Sequence, residues 1–279
     1  MKLVLEGGGV RAAYSAGVVD ALVAEGVRID AVIGSSSGSI NAAFTASGQT
    51  DVVVDLWSEY VPGNRFINWR RQFTPWGKPG LDVDEMLDNV IRKGGLLDEA
   101  RATSSDTHFY VTATDIDRRE CIVVKPTRHN LYPWLRASLA LPVGYNKIVE
   151  VEGHRCIDGG VTSPVAFDQP LGQEYPGPVV VVLTRRMETA KPPPALWERW
   201  ALHTIVPPGA RELTLGQHHL HNQVMKRLRD AVDRGEVLLV DPPAELPLSR
   251  LTRDAAKIRA GVELGRKVGR ELAKKLPKR

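Results

Sequence analysis

Two apolar runs open the chain, and each ends in a glycine-bounded turn that leads into a stretch of helical pattern. Lys2-Leu3-Val4-Leu5 runs into Glu6-Gly7-Gly8-Gly9-Val10-Arg11, after which Ala13, Ala16, Val19 and Val23 recur at helical spacing between Ala12 and Glu25. Asp30-Ala31-Val32-Ile33 then meets Gly34-Ser35-Ser36-Ser37-Gly38, and a second helix begins near Ser39-Ile40-Asn41-Ala42-Ala43. A strand, helix, strand, helix order implies parallel strands joined by crossovers. The expectation is an α/β layered fold with a mainly parallel central sheet flanked by helices. Ligand chemistry then belongs at the carboxyl ends of the strands, where both glycine turns fall.

The remaining elements extend this frame. Phe109-Tyr110-Val111-Thr112-Ala113 and Cys121-Ile122-Val123-Val124 read as strands around a turn at Asp115 to Arg119. Val149-Glu150-Val151 and Arg155-Cys156-Ile157 read as a hairpin about Glu152-Gly153-His154, which delivers Asp158 at a strand end. Helices are expected from Leu81, with acids in the first turn, over Leu135 to Leu141, and over about Glu212 to Arg234. Val179 to Leu183 and Glu236 to Asp241 read as strands. Pro62 to Gly80 interleaves Arg65, Arg70, Arg71 and Lys78 with Phe66, Trp69, Phe73 and Trp76, and is expected to form a lid or interfacial rim. The proline clusters at 192–194 and 207–208 bracket a stretch carrying Trp197 and Trp200 that reads as loop. With 279 residues, 43% of them hydrophobic, and no internal repeat, one domain over 1–279 is expected.

Several classes of function are disfavoured. No apolar run approaches the roughly 20 residues of a spanning helix, so no transmembrane segment is expected. No signal-peptide pattern precedes the first strand and Cys121 and Cys156 are the only cysteines, which points to a reducing, cytoplasmic setting. From Arg250 to Arg279 eleven Lys/Arg face three acids, a net +8, which leaves −4 elsewhere against a total of +4. The basicity belongs to the C-terminus, which speaks against a nucleic-acid-binding core. Leu251, Ala255, Ile258, Val262, Leu272 and Leu276 share a face there, so a basic amphipathic helix could meet an anionic lipid surface peripherally, at the inner membrane for example, or dock on the domain.

The chemistry-bearing residues sit in the turns. Only Ser36 among the three serines has glycine at both −2 and +2, as a sharp strand-to-helix turn that exposes a hydroxyl requires. Asp158, followed by Gly159-Gly160, is a candidate base for that hydroxyl. The Gly7-Gly8-Gly9-Val10 turn offers backbone N–H groups to an oxyanion. Arg11 either supports this loop, faces substrate, or forms a surface ion pair. The same glycines fit a loose dinucleotide fingerprint, but the acid that would hold a ribose is absent from the end of the second strand, where Gly34-Ser35 stands. His218 and His221 share a helix face without an acid or cysteine nearby in sequence, so no metal is assigned, and no cofactor is expected.

Taken together, Gly7-Gly8-Gly9-Val10-Arg11, Gly34-Ser35-Ser36-Ser37-Gly38 and Asp158-Gly159-Gly160 resemble the patatin-like phospholipases, most closely the small single-domain bacterial members. The likeness spans roughly Lys2 to Pro164 and includes Val111-Thr112-Ala113-Thr114-Asp115 and Arg136-Ala137-Ser138-Leu139-Ala140-Leu141-Pro142. The resemblance implies a Ser–Asp dyad without histidine, an oxyanion hole from the glycine loop, and hydrolysis of lipid acyl esters. Carried onto this chain, it makes Ser36 the nucleophile, Asp158 the base, and Gly7, Gly8, Gly9 and Val10 the oxyanion loop. Ala12 stands where the family usually has glycine. The alternative is a catalytically silent lipid- or partner-binding protein on the same fold.

Overall fold

The computed structural model describes the chain except residues 69, 71–78, 173, 207 and 277–279. Strands β1 (Lys2–Leu5), β2 (Ala31–Ser35), β3 (His108–Asp115), β4 (Glu120–Val124), β5 (Val149–Val151), β6 (His154–Asp158), β7 (Val179–Val182) and β8 (Val237–Val240) form one sheet. Its order is β5-β6-β3-β2-β1-β7-β8, with β4 also paired to β3. The pairs β1–β2, β1–β7, β2–β3 and β7–β8 are parallel, while β3–β4, β3–β6 and β5–β6 are antiparallel. The expected α/β fold is therefore present, and its antiparallel part is the hairpin side of the sheet.

Both faces of the central strands are buried, which is why these strands read as unbroken apolar runs. Along β1, Leu3 and Leu5 join one core while Val4 joins another. The first core includes Tyr14 and Val18 of α1 (Ala12–Ala24), Phe44 of α2 (Ser37–Ser47), and Ile258 and Val262 near the C-terminus. The second includes Val224, Met225 and Leu228 of a long helix on the opposite face.

Four expectations are revised. The turn between β5 and β6 is the two residues Glu152 and Gly153, at φ = 49° and 80°, the left-handed pair that matches strand twist. α3 (Thr50–Asp55) and α4 (Glu99–Ser104) precede α5, which spans Leu131–Ser138 rather than Leu135 to Leu141. Pro133 lies in the first turn of α5, where its missing N–H has no partner to lose. The proline-bracketed stretch contains helix α6 (Leu196–Ile205), and α7 (Pro208–Asp233) starts at a proline, a favoured first helical residue. The helix expected from Leu81 is a π-type segment, Glu85–Arg92.

At the C-terminus α8 (Ala255–Ala273) follows the second of its two expected courses and docks on the domain. Its apolar face is covered: Ile258, Val262 and Ala273 are buried, as is Leu276 just beyond it. The glycines that would weaken an isolated helix are its seam with α1. A Cβ at Gly265 would lie 2.1 Å from the carbonyl oxygen of Tyr14, one at Gly269 2.4 Å from that of Val18, and one at Gly17 2.1 Å from that of Val262. Small residues four apart let the two backbones touch. Part of the basic surface is also paired, Arg266 with Asp20 at 2.8 Å and Arg259 with Glu59 at 2.9 Å.

Candidate functional site

Strand β3 brings the two distant motifs together. Its Thr112 pairs with Ser35, the last residue of β2, and its next residue, Ala113, pairs with Asp158, the last of β6. β4 occupies the other edge of β3 over this length, so β6 takes up the edge that β2 leaves. Ser36 thus departs the sheet where Asp158 arrives.

At that junction Ser36 adopts φ = 51° and ψ = −130°, a conformation rare for a residue with a side chain and stored only where its surroundings hold it. Close approach explains the flanking glycines. A Cβ at Gly34 would sit 2.3 Å from the Gly38 carbonyl oxygen, and one at Gly38 2.4 Å from that of Leu5. The Ser36 N–H donates to Ser138 Oγ at 2.9 Å, and Ser39 Oγ donates to the Ser36 carbonyl at 2.6 Å. Ser35 and Ser37 face elsewhere: Ser35 Oγ bonds the Ser163 carbonyl and Thr112 Oγ1, while Ser37 Oγ accepts the Gly8 N–H at 2.9 Å.

The Ser36 hydroxyl donates to Asp158 Oδ2 at 2.6 Å, and the Gly160 N–H holds the other oxygen, Oδ1, at 2.8 Å. Asp158 is 3% exposed, and burial raises its carboxyl to about 6 against the opposing pull of these two hydrogen bonds and of Arg250 and Lys191. A carboxylate poised there is a much better base than a solvated one, yet still ionised at neutral pH. His154 is engaged with Asp115 at 2.8 Å instead.

The glycine loop lies across the same turn. Of its amides, Gly8 N–H is committed to Ser37 Oγ and Val10 N–H to the Arg250 carbonyl at 3.1 Å, whereas Gly7 and Gly9 N–H have no protein acceptor among the described residues. Gly9 takes φ = 58°, the left-handed region. Ala12 follows at φ = −62° and ψ = −16°, ordinary helical values, so alanine causes no strain there. Arg11 turns inward rather than forming a surface ion pair: its Nε is buried without a hydrogen-bond partner.

Ser36, Asp158 and residues 7–11 line a cavity of about 570 Å3, within the range of small-molecule sites. Trp57, Val61, Phe66, Ile67, Leu81, Val83, Met86, Leu139, Leu141 and Val143 supply apolar lining; Arg185, Lys191, Gln217, His218, His221 and Arg250 supply polar lining. Of the expected lid, Phe66 is buried and Ile67 bridges Leu81, so its ends form cavity wall; Trp69, Phe73 and Trp76 lie outside the described residues. His218 and His221 of α7 line this cavity, His218 half-buried and His221 buried, with burial lowering His221 to about 4 and so keeping it neutral. Among the described residues no three His, Cys, Asp or Glu gather as a metal site.

Sequence reasoning assigned no role to Glu6. Its fully buried carboxylate accepts bonds from Thr184 N–H, Thr184 Oγ1 and Arg185 N–H, tying the end of β1 to the loop after β7. Burial pushes its carboxyl up. The one signal in the sequence was a charge placed directly after an apolar strand.

The β3 strand thus sets the serine turn that ends β2 beside the aspartate that ends β6, and comparison with known proteins gives the family of this α/β fold. The patatin-like phospholipase family model matches residues 3–171, and the chain belongs to that family. It is similar to the uncharacterized protein YjjU of Escherichia coli (strain K12), 26% identical over 277 residues that cover 96% of this chain and 75% of that one. Shorter matches are to the uncharacterized protein YqhO of Bacillus subtilis (strain 168), 39% over 72 residues, and to the patatin-like phospholipase domain-containing protein ZK370.4 of Caenorhabditis elegans, 29% over 169 residues. These cover 26% and 60% of this chain but only 25% and 12% of those proteins. No described helix is long and apolar enough to cross a membrane.

Proposed function

We propose that the protein is a serine acyl hydrolase acting on lipid acyl esters, with Ser36 as nucleophile and Asp158 as base. The observation that carries this reading is the 2.6 Å hydrogen bond from Ser36 Oγ to a buried carboxylate inside a largely apolar cavity. Asp158 withdraws the Ser36 proton as Oγ attacks the ester carbonyl. The open Gly7 and Gly9 amides, with Gly8 and Val10 shaping the loop, receive the developing oxyanion; losing one such donor typically costs on the order of 100-fold to 1000-fold in rate. The alcohol leaves with the proton held by Asp158, and water activated by the same carboxylate releases the acid from Ser36.

The family supports lipid ester hydrolysis at its own level; the dyad and the oxyanion loop are our reading of this site. The silent-binder alternative is disfavoured because it gives no reason for a serine held at φ = 51° against a carboxylate. One domain over 1–279 is supported by α8 on α1 and by the Val10–Arg250 bond, which join the ends of the chain. A cytoplasmic setting is supported by two free cysteines. Peripheral lipid contact fits α6 better than the C-terminus, since Leu196 and Trp200 are 82% and 69% exposed close in sequence to the cavity-lining segment 191–194. The test is hydrolysis of short- and long-chain acyl esters by purified protein, with fluorophosphonate labelling. We expect turnover and labelling at Ser36; a properly folded protein that does neither would favour the silent binder.

A further inference from the structure

Three loops deliver cations to one cavity. Arg11 follows the glycine loop, Arg185 and Lys191 follow β7, and Arg250 lies between β8 and α8. In the sheet β7 and β8 stand to one side of β1, while β3, β6 and β5 stand beyond β2 on the other. The cations therefore gather toward the β7–β8 side of Ser36, and Leu139 and Leu141, from the loop before β5, lie toward the other.

Among the described residues none of the four cations makes an ion pair, although elsewhere Arg136, Arg266 and Arg259 are all paired. Three carboxylates line the cavity: Glu6 is held by Thr184 and the Arg185 N–H, Asp158 by Ser36 and Gly160, and Asp82 accepts the Glu85 N–H. Like charges confined this way repel. Burial is the main reason that Arg11 is lowered to about 10 and Lys191 to about 7; at Arg11 the attraction of Glu6 exceeds the repulsion from either Arg250 or Arg185, whereas at Lys191 Arg250 repels more than Asp158 attracts. The neighbouring His221 is depressed by the same four cations.

This repulsion is held in place by design of the backbone. Asn222 of α7 accepts the Lys191 N–H at 2.8 Å and donates to the Lys191 carbonyl at 3.1 Å, with three prolines following. The Arg250 carbonyl is fixed by Val10 N–H while its side chain is exposed, and Arg185 is fixed through its N–H on Glu6 and through its guanidinium, which donates to the Ala190 carbonyl at 3.1 Å. Four cations facing two buried carboxylates, Glu6 and Asp158, leave an excess of positive charge that is complementary to a multivalent anion. A carboxylate would neutralise one of them. A phosphoryl group offers up to two charges and several oxygens to guanidinium forks.

We propose that Arg11, Arg185, Lys191 and Arg250 form a phosphoryl-binding subsite beside Ser36, selecting acyl esters with an anionic phosphate headgroup over zwitterionic or neutral ones. Headgroup selection rests on the ester-hydrolase reading above, because it places the ester between this subsite and the apolar lining. A choline or ethanolamine amine would meet the same cations and be disfavoured.

The test measures binding to full-length Ser36→Ala protein by calorimetry, using dihexanoyl phosphatidate, dihexanoyl phosphatidylcholine and inorganic phosphate, all as monomers. We expect phosphatidate to bind at least tenfold more tightly than phosphatidylcholine, and Lys191→Gln to lower that affinity roughly tenfold while Lys191→Arg retains it. Arg185→Gln supplies the same comparison should Lys191→Gln melt early. Equal affinity for the two lipids overturns the subsite. Inorganic phosphate binding as tightly as phosphatidate supports an anion site but overturns headgroup selection. Wild-type protein that shows the binding preference yet hydrolyses neither lipid overturns the hydrolase reading alone.

Discussion

The cavity has two kinds of lining, and they are finished to different degrees. On the apolar side the lining polar groups have partners within the protein: Trp57 Nε1 donates to Asn41 Oδ1 at 2.7 Å, and Asp82 accepts the Glu85 N–H at 3.1 Å. On the cationic side Arg11 Nε is buried without a partner and four like charges converge. Folding alone satisfies the first. The second is complementary to something outside the chain. The dyad lies between them, so the comparison assigns bond-breaking to groups that are ready in the free protein and selection to groups that are not.

The sharpest way to break this comparison is to remove the ready groups. Ser36→Ala is expected to lower ester turnover on the order of a million-fold and abolish fluorophosphonate labelling, as in other hydrolases whose nucleophile is deleted. Asp158→Asn should lower turnover on the order of 10,000-fold or more, because an amide cannot take the proton. Ser35→Ala and Ser37→Ala should still label, since neither hydroxyl reaches Asp158. Folded His154→Ala or His129→Ala protein that lost most of its activity would replace the dyad with a triad.

The legibility of the site follows the same divide. Gly34, Ser36 and Gly38 are readable because the turn imposes a steric requirement on adjacent residues, and the Asp158 strand end is readable from its hairpin. That β3 aligns Ser35 and Asp158 on consecutive residues is a fact of sheet order. Lys191 and Arg250 carry no local signal at all; they sit in loops, and only the β7 and β8 positions bring them to Ser36. His221 shares a helix face with His218 in the sequence, but its burial carries no sequence signal, because contact with distant segments has no periodicity. The glycines of α8 read as weak points in a helix, whereas their meaning depends on α1.

That last contrast predicts opposite signs for one substitution. Gly265→Ala forces a methyl into the Tyr14 carbonyl and should destabilise the fold by about 2–3 kcal/mol, read as a lower midpoint in urea. Gly216→Ala on α7 meets nothing within 4 Å and should stabilise by about 0.5–1 kcal/mol. Equal effects at the two sites would mean that the α1–α8 seam is not close-packed.

The raised carboxyl gives a smaller effect with a definite sign. Asp158 acts as base only when ionised, so kcat/KM on a neutral ester should rise about tenfold per pH unit below about pH 6 and level off above it. A folded value of about 6 against the ordinary 3.8 means the fold binds this proton more tightly than the unfolded chain. Stability is therefore greatest below pH 3.8 as far as this group is concerned, and is lost as pH rises through that window. Asp158→Asn should remove both trends. A rate profile with its midpoint near 4 would show that burial does not hold the carboxyl up.

The smallest expected effect separates α6 from α8 as the lipid-facing element. Leu196 and Trp200 stand exposed on α6, whereas Ile258 and Val262 of α8 are covered by α1. Burying one such side chain in a bilayer interface contributes about 1.5–3 kcal/mol at most, so Trp200→Glu should weaken vesicle co-sedimentation by roughly tenfold or somewhat more. Reversing charge on the far end of α8, by Lys274→Glu and Lys275→Glu, should matter less and only at low salt, because exposed charges act through a screened field. If the Lys274 and Lys275 variant lost vesicle binding while Trp200→Glu kept it, the contact would be electrostatic and C-terminal. The covered seam of α8 would then be a mounting for a basic surface, and α6 would be only the outer wall of the cavity.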